Sequence, residues 1–302
     1  MKKFIFGAII AVFTLGFVSL AMKAPVVYAA QSTVNLGTAA PFAVLAGAGI
    51  TNVPTSVITG NVGLSPATGA NYSGLNQAEV TGTIYSVDAF GPGGYVQNPG
   101  LLTTAKNDLT TAYVDASGRT PVTTLAGSDN QLGGKTLTPG VYAFSHADTY
   151  NLTAASPLTL SGNGIFIFQA TSDLITASAS SVVLTDGAQA CNVFWTVPSS
   201  AASFGTNSSF VGTVMAYSSI NMGTGAKLEG RVLAQTAAVT LQSNTITAPT
   251  TCLAITYVDV VTPGLPNTGT ASNSSILAVV AIVGAFFIAI ASFIVIRTKR
   301  AN

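Results

Sequence analysis

Alternation of apolar with small or polar residues runs through most of the chain and predicts a mainly β protein. GIFIF, CNVFWTV and FVGTVMA are typical of short strands, because apolar residues alternate between clusters of Gly, Ser, Thr and Asn. Residues 98–119 differ, with apolar residues at helical spacing. These residues are Leu102, Ala105, Leu109, Ala112, Tyr113 and Ala116. Asn98 suits the N-cap and Pro99 the first helical position, so one long amphipathic helix is expected to lie along a β surface.

The C-terminal half repeats itself with a period of 18 to 19 residues. FVGTVMAYSSINMGTG (210–225) and LEGRVLAQTAAVTLQS (228–243) align with matching glycines and matching apolar positions. This period is too short for a pair of helices and suits one coil of a β-solenoid, in which strands stack coil upon coil. The ends of such a stack are open strand edges that need cover. The helix and the non-repeating region 65–97 are expected to supply that cover.

Both ends of the chain carry long apolar runs with basic neighbours. Residues 1–29 begin with two lysines, continue with an apolar run and end on small residues, which predicts a secretory signal peptide whose helix is outside the fold. An uncleaved N-terminal membrane anchor is the alternative. Residues 276–296 form 21 positions without a charge, enough for a transmembrane helix across a bilayer core of about 30 Å. The basic tail 297–302 predicts that this end is cytoplasmic.

The pentapeptide LPNTG precedes the C-terminal apolar run. Its residues are Leu265, Pro266, Asn267, Thr268 and Gly269, and the linker 255–264 precedes it. LPxTG, a spanning helix and a basic tail together resemble the cell-wall sorting signal of Gram-positive bacteria. The resemblance implies cleavage after Thr268 by a sortase and covalent attachment of its carboxyl to peptidoglycan. The protein would be held in the membrane first and then anchored in the cell wall, unless it is a membrane-anchored protein that is never cut.

Charge excludes one class of partner. All ten acidic residues but only five of the eleven basic ones lie in the expected mature chain, residues 30–268, whose formal charge is therefore five minus ten, or −5. A nucleic-acid-binding surface would need a basic patch, so no nucleic-acid partner is expected.

Candidate catalytic chemistry is sparse. His146 is the only histidine, and the neighbouring Ser145 and Asp148 rarely form a catalytic triad at such sequence spacing. No closely spaced acidic run suits calcium. We therefore expect no catalytic residue, no metal site and no cofactor, and the protein is predicted not to be an enzyme. Trp195 and the strand phenylalanines are interpreted as core residues rather than as a sugar-stacking platform.

The two cysteines admit two interpretations. Cys191 and Cys252 would form a disulfide in an exported protein and tie the chain end to the middle of the domain. The alternative is two small buried thiols, because the sequence does not give the distance between them.

Long stretches of the chain resemble the bacterial and fungal ice-binding-like domain family. They are NLGTAAPFAVLAGAGITN, TGNVGLSPATG, CNVFWTV and GTVMA through LQSNTI, and the resemblance spans roughly residues 33–250 within an expected domain of 30–254. It implies a right-handed, three-faced β-solenoid with one helix beside it. It also implies a discontinuous strand order, with N-terminal strands completing the stack. Characterised members bind ice through one flat face, and membership alone does not fix the ligand.

The repeat register selects one expected binding face. Ala202, Ile220 and Val239 point inward, so their neighbours point outward as a ladder of small residues without charge. This ladder comprises Ala201, Ser203, Ser219, Asn221, Ala238 and Thr240. The preceding strand is expected to point Glu229 and Arg231 outward, which disfavours it as an ice face. An ordinary solvated sheet is the alternative, and the Thr-x-Thr rows of strongly active ice binders are missing from the ladder.

Two functions follow from these observations. The first is a wall-anchored surface protein that binds ice through the ladder. The second is an adhesin or structural stalk whose ligand is a protein, glycan or mineral.

Overall fold

The structure is a computed structural model, and it describes residues 31–121, 123–125, 131–144, 150–152, 156–198 and 201–251. These residues all belong to the first of two compact units, Met1–Thr256. The expected signal peptide, linker, LPNTG motif, transmembrane helix and basic tail lie outside the described residues, as do His146 and Cys252. Within the described ranges, no helix is long and apolar enough to cross a bilayer.

Short strands dominate the described part of the chain. In chain order they are β1 Phe42–Ala46, β2 Ile50–Val53, β3 Val57–Thr59, β4 Asn61–Leu64, β5 Tyr72–Ser73, β6 Val80–Thr81, β7 Ile84–Ser86, β8 Val96–Gln97, β9 Thr123–Leu125, β10 Thr136–Leu137, β11 Gly140–Phe144, β12 Tyr150–Leu152, β13 Leu158–Ser161, β14 Phe166–Gln169, β15 Leu174–Thr176, β16 Val182–Thr185, β17 Val193–Val197, β18 Ala202–Phe204, β19 Ser209–Ala216, β20 Ile220–Met222, β21 Lys227–Ala234, β22 Val239–Gln242 and β23 Thr245–Thr247. Helix α1 is Pro99–Gly118, and short 3-10 turns occupy Gly37–Ala39, Gly69–Asn71, Gln77–Glu79 and Ala190–Asn192.

The strands form three parallel sheets. The thirteen-stranded sheet runs β8-β7-β4-β1-β21-β19-β17-β14-β11-β9, with β23, β3 and β6 joined to it through β21. The three-stranded sheet is β10-β13-β16, and the seven-stranded sheet is β12-β15-β18-β20-β22-β2-β5. Consecutive strands pass from one sheet to the next and pair with their equivalents one coil away. This arrangement is that of a β-solenoid and confirms the mainly β fold with one long helix.

The order of strands in space differs from their order along the chain. N-terminal strands β1, β2 and β3 pair with C-terminal strands β21, β22 and β23. Strands from the 65–97 region then end two of the sheets, with β8 outermost in one and β5 outermost in the other. The N-terminal strands therefore complete the stack, as the family resemblance implies, and region 65–97 lies at its end as expected.

Helix α1 packs on the thirteen-stranded sheet through the predicted apolar stripe. Its fully buried residues are Leu102, Ala105, Leu109, Ala112 and Ala116. They belong to one cluster with Phe42, Leu45, Ile167, Phe194, Met215 and Leu233 of the sheet. At its start, Leu101 N donates a hydrogen bond of 3.0 Å to Asn98 Oδ1, which confirms the predicted N-cap.

A second core fills the interior of the coils. Its centre is an aromatic column of Tyr142, Phe168, Trp195, Phe210 and Phe204, with ring centroids 3.9 to 5.4 Å apart along the column. The Trp195 indole also donates to Val211 O at 3.0 Å. The strand aromatics are therefore core residues, as the sequence indicates.

Polar contacts fix the helix at two further points. The hydroxyl and backbone N–H of Thr38 both donate to Asp108 Oδ2 at 2.7 Å, and they hold the pKa of this carboxyl below its usual range. Lys106 Nζ donates to the carbonyls of Ala234 and Gln235, and burial lowers the pKa of Lys106 to about 8. The helix is thereby joined to the N-terminal segment and to the end of β21.

Candidate functional site

One outward row of side chains crosses the seven-stranded sheet. Strand by strand, the backbone register aligns Ile175, Ser203, Asn221, Thr240, Thr51 and Ser73. We call these six residues the outer row. The sequence predicts that residues 203, 221 and 240 lie side by side, and the register agrees. Their role as a binding face stays a prediction.

The remaining predicted residues form a flanking row beside the outer row. The carbonyls of Ala201, Ser219 and Ala238 each accept a hydrogen bond from a neighbouring coil, with N–O distances of 3.0 to 3.4 Å. The three residues are half-buried. Ala201, Ser219 and Ala238 immediately precede β18, β20 and β22, so they align at one end of these strands, and their part in a binding face stays a prediction. At one end of the flanking row, Asp173 Oδ1 accepts a bond of 3.2 Å from Ala201 N, so a carboxylate marks the limit of the charge-free area.

The inward residues of the same strands explain why the surface is regular. Phe204 and Met222 are paired across β18 and β20, and both are buried together with Leu241. Because successive side chains of a strand point to opposite faces, fixing these inward positions fixes Ser203, Asn221 and Thr240 outward. Coils in such a stack lie about 4.8 Å apart, and alternate residues along a strand about 6.7 Å apart. The result is a two-dimensional array of small groups.

Glycine at the edge of this surface allows the coils to stack closely. A Cβ added to Gly223 would lie 2.5 Å from Phe204 O and 2.9 Å from the carbonyl carbon of Gly205. Real side chains do not tolerate such approaches, so glycine is required at this corner. The tight corner keeps the adjacent outer row level from β18 to β20.

The outer row presents hydroxyl, amide and methyl groups and no ionisable side chain. Asn221, Thr51 and Ser73 are exposed, whereas Ser203 and Thr240 are half-buried. Ile175 is 42% exposed, so the row becomes apolar toward β15. The nearest ionisable group in the last strand is Tyr72, whose hydroxyl donates to Tyr85 O at 2.7 Å. Burial raises the pKa of Tyr72, so this phenol stays neutral and the row keeps one charge state across the usual pH range.

Three of the six outer-row residues, Thr51, Ser73 and Ile175, were not predicted from the sequence. Thr51 and Ser73 come from N-terminal strands that pair with β22 only in the folded solenoid. The repeat alignment covers the C-terminal half and does not reach them. Ile50, Thr51 and Asn52 alternate between inward and outward positions. This alternation would have predicted an outward Thr51, if the N-terminal strands had been placed beside β22. Ile175 lies one coil before the aligned repeats.

The expectation for Arg231 was wrong. Its side chain is only 6% exposed, because the N-terminal and C-terminal segments cover it. Its Nε donates to Ala40 O at 2.7 Å, Nη2 to Pro249 O at 2.8 Å and Nη1 to Thr213 Oγ1 at 3.3 Å. Burial lowers the pKa of Arg231 to about 10. Glu229 on the same strand is exposed as predicted.

Loss of the Arg231 contacts should destabilise the fold. In Arg231→Tyr, the carbonyls of Ala40 and Pro249 would lose their donor, and an unpaired buried polar group costs about 1–3 kcal/mol. We expect the free energy of unfolding to fall by at least this amount in urea titrations. Glu229→Tyr is the matched control on the same strand and should change it by less than about 0.5 kcal/mol. Equal stability of the two variants would contradict the covered position of Arg231.

The other predicted sites fall largely outside the described residues. Leu265, Pro266, Asn267, Thr268 and Gly269 do so completely. Cys191 is disulfide-bonded, and Cys252, its predicted partner, lies outside the described ranges, so the pairing stays a prediction. Among the residues that the structure describes, no group of three His, Cys, Asp or Glu side chains is placed to hold a metal ion.

Comparisons with known proteins agree with the fold. The chain is 46% identical over 218 residues to an ice-binding protein of Flavobacterium frigoris, covering 72% of this chain and 76% of that protein. It is 43% identical over 228 residues to an ice-binding protein of Colwellia, covering 74% and 87%. A crystal structure of an ice-binding protein from an Antarctic biological consortium matches with a TM-score of 0.63 and 38% identity, covering 73% and 93%.

A family model provides the final comparison. The model described as ice-binding-like matches residues 44–247, which include β2, β18, β20 and β22 of the seven-stranded sheet and all of helix α1. This match extends over more than half of the chain. The chain therefore belongs to the ice-binding-like family.

Proposed function

We propose that this protein binds ice through the outer row and the flanking row of the seven-stranded sheet. The observation that carries the proposal is the register of Ser203, Asn221, Thr240 and Thr51 on four consecutive coils, without a charged side chain among them. Relatives with 46% and 43% identity are ice-binding proteins, which supports ice as the ligand.

Physical chemistry favours ice over a soluble ligand at this surface. The surface of an ice crystal is flat and periodic, and coils about 4.8 Å apart form a rigid protein surface that is also periodic. Hydroxyl and amide groups can form hydrogen bonds with ordered water as donors or acceptors. The area around a methyl group is only weakly hydrated. Charged side chains would hold their own water tightly, and the outer row has none. The surface needs no catalytic group, which agrees with the prediction of a protein that is not an enzyme.

The composition of the outer row indicates moderate rather than extreme activity. Only Thr51 and Thr240 combine a hydroxyl with a methyl group. Ser73 and Ser203 have a hydroxyl without a methyl, Asn221 has an amide, and Ile175 has methyl groups without a hydroxyl. A regular array of threonines would give every coil the same pair of groups. We expect adsorption and crystal shaping with a modest thermal hysteresis.

Thermal hysteresis and crystal shape test the proposal. The mature chain, residues 30–268, should shape growing ice crystals and give a measurable gap between melting and freezing temperatures. Round, freely growing crystals without a gap would contradict ice binding. An adhesin or structural stalk for a protein, glycan or mineral would then be the better account of the same flat surface.

For the ends of the chain we propose export followed by attachment to the cell wall. The supporting observations are the signal-like residues 1–29, the LPNTG pentapeptide, the uncharged run 276–296 and the basic tail. Sortase would be the processing partner and peptidoglycan the covalent one through Thr268, with the membrane holding the precursor. The solenoid coils are expected to be right-handed, as the family resemblance implies.

Attachment can be separated from ice binding by one substitution. Thr268→Ala should leave the protein in the membrane fraction, because the carboxyl that sortase transfers to the wall belongs to Thr268. The unchanged protein should appear in muramidase digests of the wall, and Thr262→Ala in the linker should behave like it. Covalent release of Thr268→Ala from digested walls would show that the sorting interpretation is wrong.

A further inference from the structure

A groove with an apolar floor lies away from the seven-stranded sheet. Its volume is about 560 Å³, and strands β16, β19, β21 and β23 line it. The lining includes the apolar residues Val183, Phe210, Val211 and Leu228. Val183 is 41% exposed although it is an aliphatic residue in the middle of a strand. Phe210, Val211 and Leu228 are each at most 6% exposed, so Val183 is the apolar lining residue that would bury most new surface under a packed segment.

One strand beside the groove, β16, forms a ladder along only one of its edges in the described residues. Strand β16 pairs with β13 on one side. Toward β19, the described residues show a single bridge, Ser181 to Ser209. Beyond this bridge, β16 and β19 do not continue as a ladder, and Val211 O accepts the Trp195 indole N–H. The edge of β16 that faces β19 therefore forms no ladder in the described residues, and an open strand edge is a feature that binds an added extended segment.

The described part of the chain ends four residues after Thr247, which lines this groove. After β23, Pro249 O is held by Arg231, and the described chain ends at Thr251. Cys191, in the 3-10 turn Ala190–Asn192, is disulfide-bonded, and the only other cysteine of the chain is Cys252. This turn packs on β19 and β21, the strands that line the groove. A bond between these cysteines would therefore deliver residue 253 to the end of the groove.

The segment that follows has the pattern of a strand. Residues 253–258 read LAITYV, with Leu253, Ile255 and Tyr257 on one side of an extended chain and smaller residues on the other. Asp259 is the only charged residue from 252 to 264, and the groove lining carries one residue of each charge, Lys227 and Glu229. We propose that residues 253–258 bind in this groove as an extended segment, with Leu253, Ile255 and Tyr257 on its apolar floor.

This contact would give the protein a defined exit point for its C-terminal linker. The segment would cover Val183 and the open edge of β16, which otherwise offers a template for other chains. None of these steps depends on the ligand of the seven-stranded sheet.

Hydrogen–deuterium exchange on the disulfide-intact mature chain, residues 30–268, tests the proposal. The amides of 253–258 should exchange at least about tenfold more slowly than in the free peptide, which corresponds to roughly 1.4 kcal/mol of protection. Val183→Asp in the groove should abolish this protection. Val114→Asp is the matched control, because Val114 is 62% exposed on helix α1, and it should leave protection unchanged.

A second variant keeps the test independent of solenoid folding. Tyr257→Asp lies in the segment itself and should release it while the amides of β19 and β21 stay protected. Free-peptide exchange of 253–258 in the unchanged chain would overturn the proposal. Protection that survives both Val183→Asp and Tyr257→Asp would overturn it too. Protection that disappears on dilution, together with dimers in light scattering, would show that a second copy covers the groove instead.

Discussion

Replacing Thr240 with tyrosine should remove most of the thermal hysteresis and leave the fold intact. Thr240 lies between Asn221 and Thr51 in the outer row, so a phenol there rises above the surface on both neighbouring coils. Contact with ice over the middle of the sheet would be lost. Surface substitutions usually change stability by less than about 0.5 kcal/mol, so the melting temperature should be nearly unchanged. Hysteresis and thermal unfolding measured on the same sample check both expectations.

Two further variants define the face. Asn221→Tyr, one coil away, should have the same effect as Thr240→Tyr. Thr81→Tyr makes the same change at an exposed threonine of β6, which is not in the seven-stranded sheet, and should keep full activity. Arg231→Tyr would not serve as this control, because the buried Arg231 contacts two chain segments. Loss of activity in Thr81→Tyr with full activity in the other two would place the ice-binding surface elsewhere.

The second large effect concerns the interior of the coils. Trp195→Ala should lower the free energy of unfolding by about 3–5 kcal/mol, the usual cost of truncating a buried aromatic residue. The indole stacks 3.9 Å from Phe168 and 4.8 Å from Phe210, and it donates to Val211 O. Truncation opens a cavity in the middle of the aromatic column and leaves that carbonyl without the indole. Urea unfolding followed by far-UV circular dichroism measures the change.

A control variant removes an aromatic ring that is exposed rather than buried. Phe90 is 61% exposed in the 65–97 region, so Phe90→Ala should change the free energy of unfolding by less than about 0.5 kcal/mol. A cost below about 1 kcal/mol for Trp195→Ala would contradict the continuous aromatic column. Native domains are stable by only about 5–15 kcal/mol, so the larger loss should also reduce the yield of folded protein.

Repeat periodicity predicted the local geometry of the candidate site well. The spacing of Phe204, Met222 and Leu241 fixed which residues point inward, and the parallel register followed from it. Helix α1 was predictable for the same reason, because its apolar stripe and its Asn98 cap are encoded within one continuous segment. Both features depend on interactions between residues close in sequence or related by a constant offset.

Long-range pairing was not predictable from the pattern alone. No pattern within either strand indicates that β2 pairs with β22. Only the family resemblance predicted that N-terminal strands complete the stack. Strand β1 is buried along its whole length because the helix covers one side and the coils the other. Arg231 looked like an outward surface residue by alternation. Its burial comes from Ala40 and Pro249, each at least 18 residues away in sequence.

Partition into a growing ice hemisphere is the most direct test of the central claim. The mature chain and Thr240→Tyr would be frozen slowly from dilute solution beside an unrelated protein of similar size. We expect the unchanged chain to be incorporated into the ice and Thr240→Tyr to be excluded with the unrelated protein. Exclusion of the unchanged chain would contradict ice binding, and equal incorporation of both would contradict the assignment to the seven-stranded sheet.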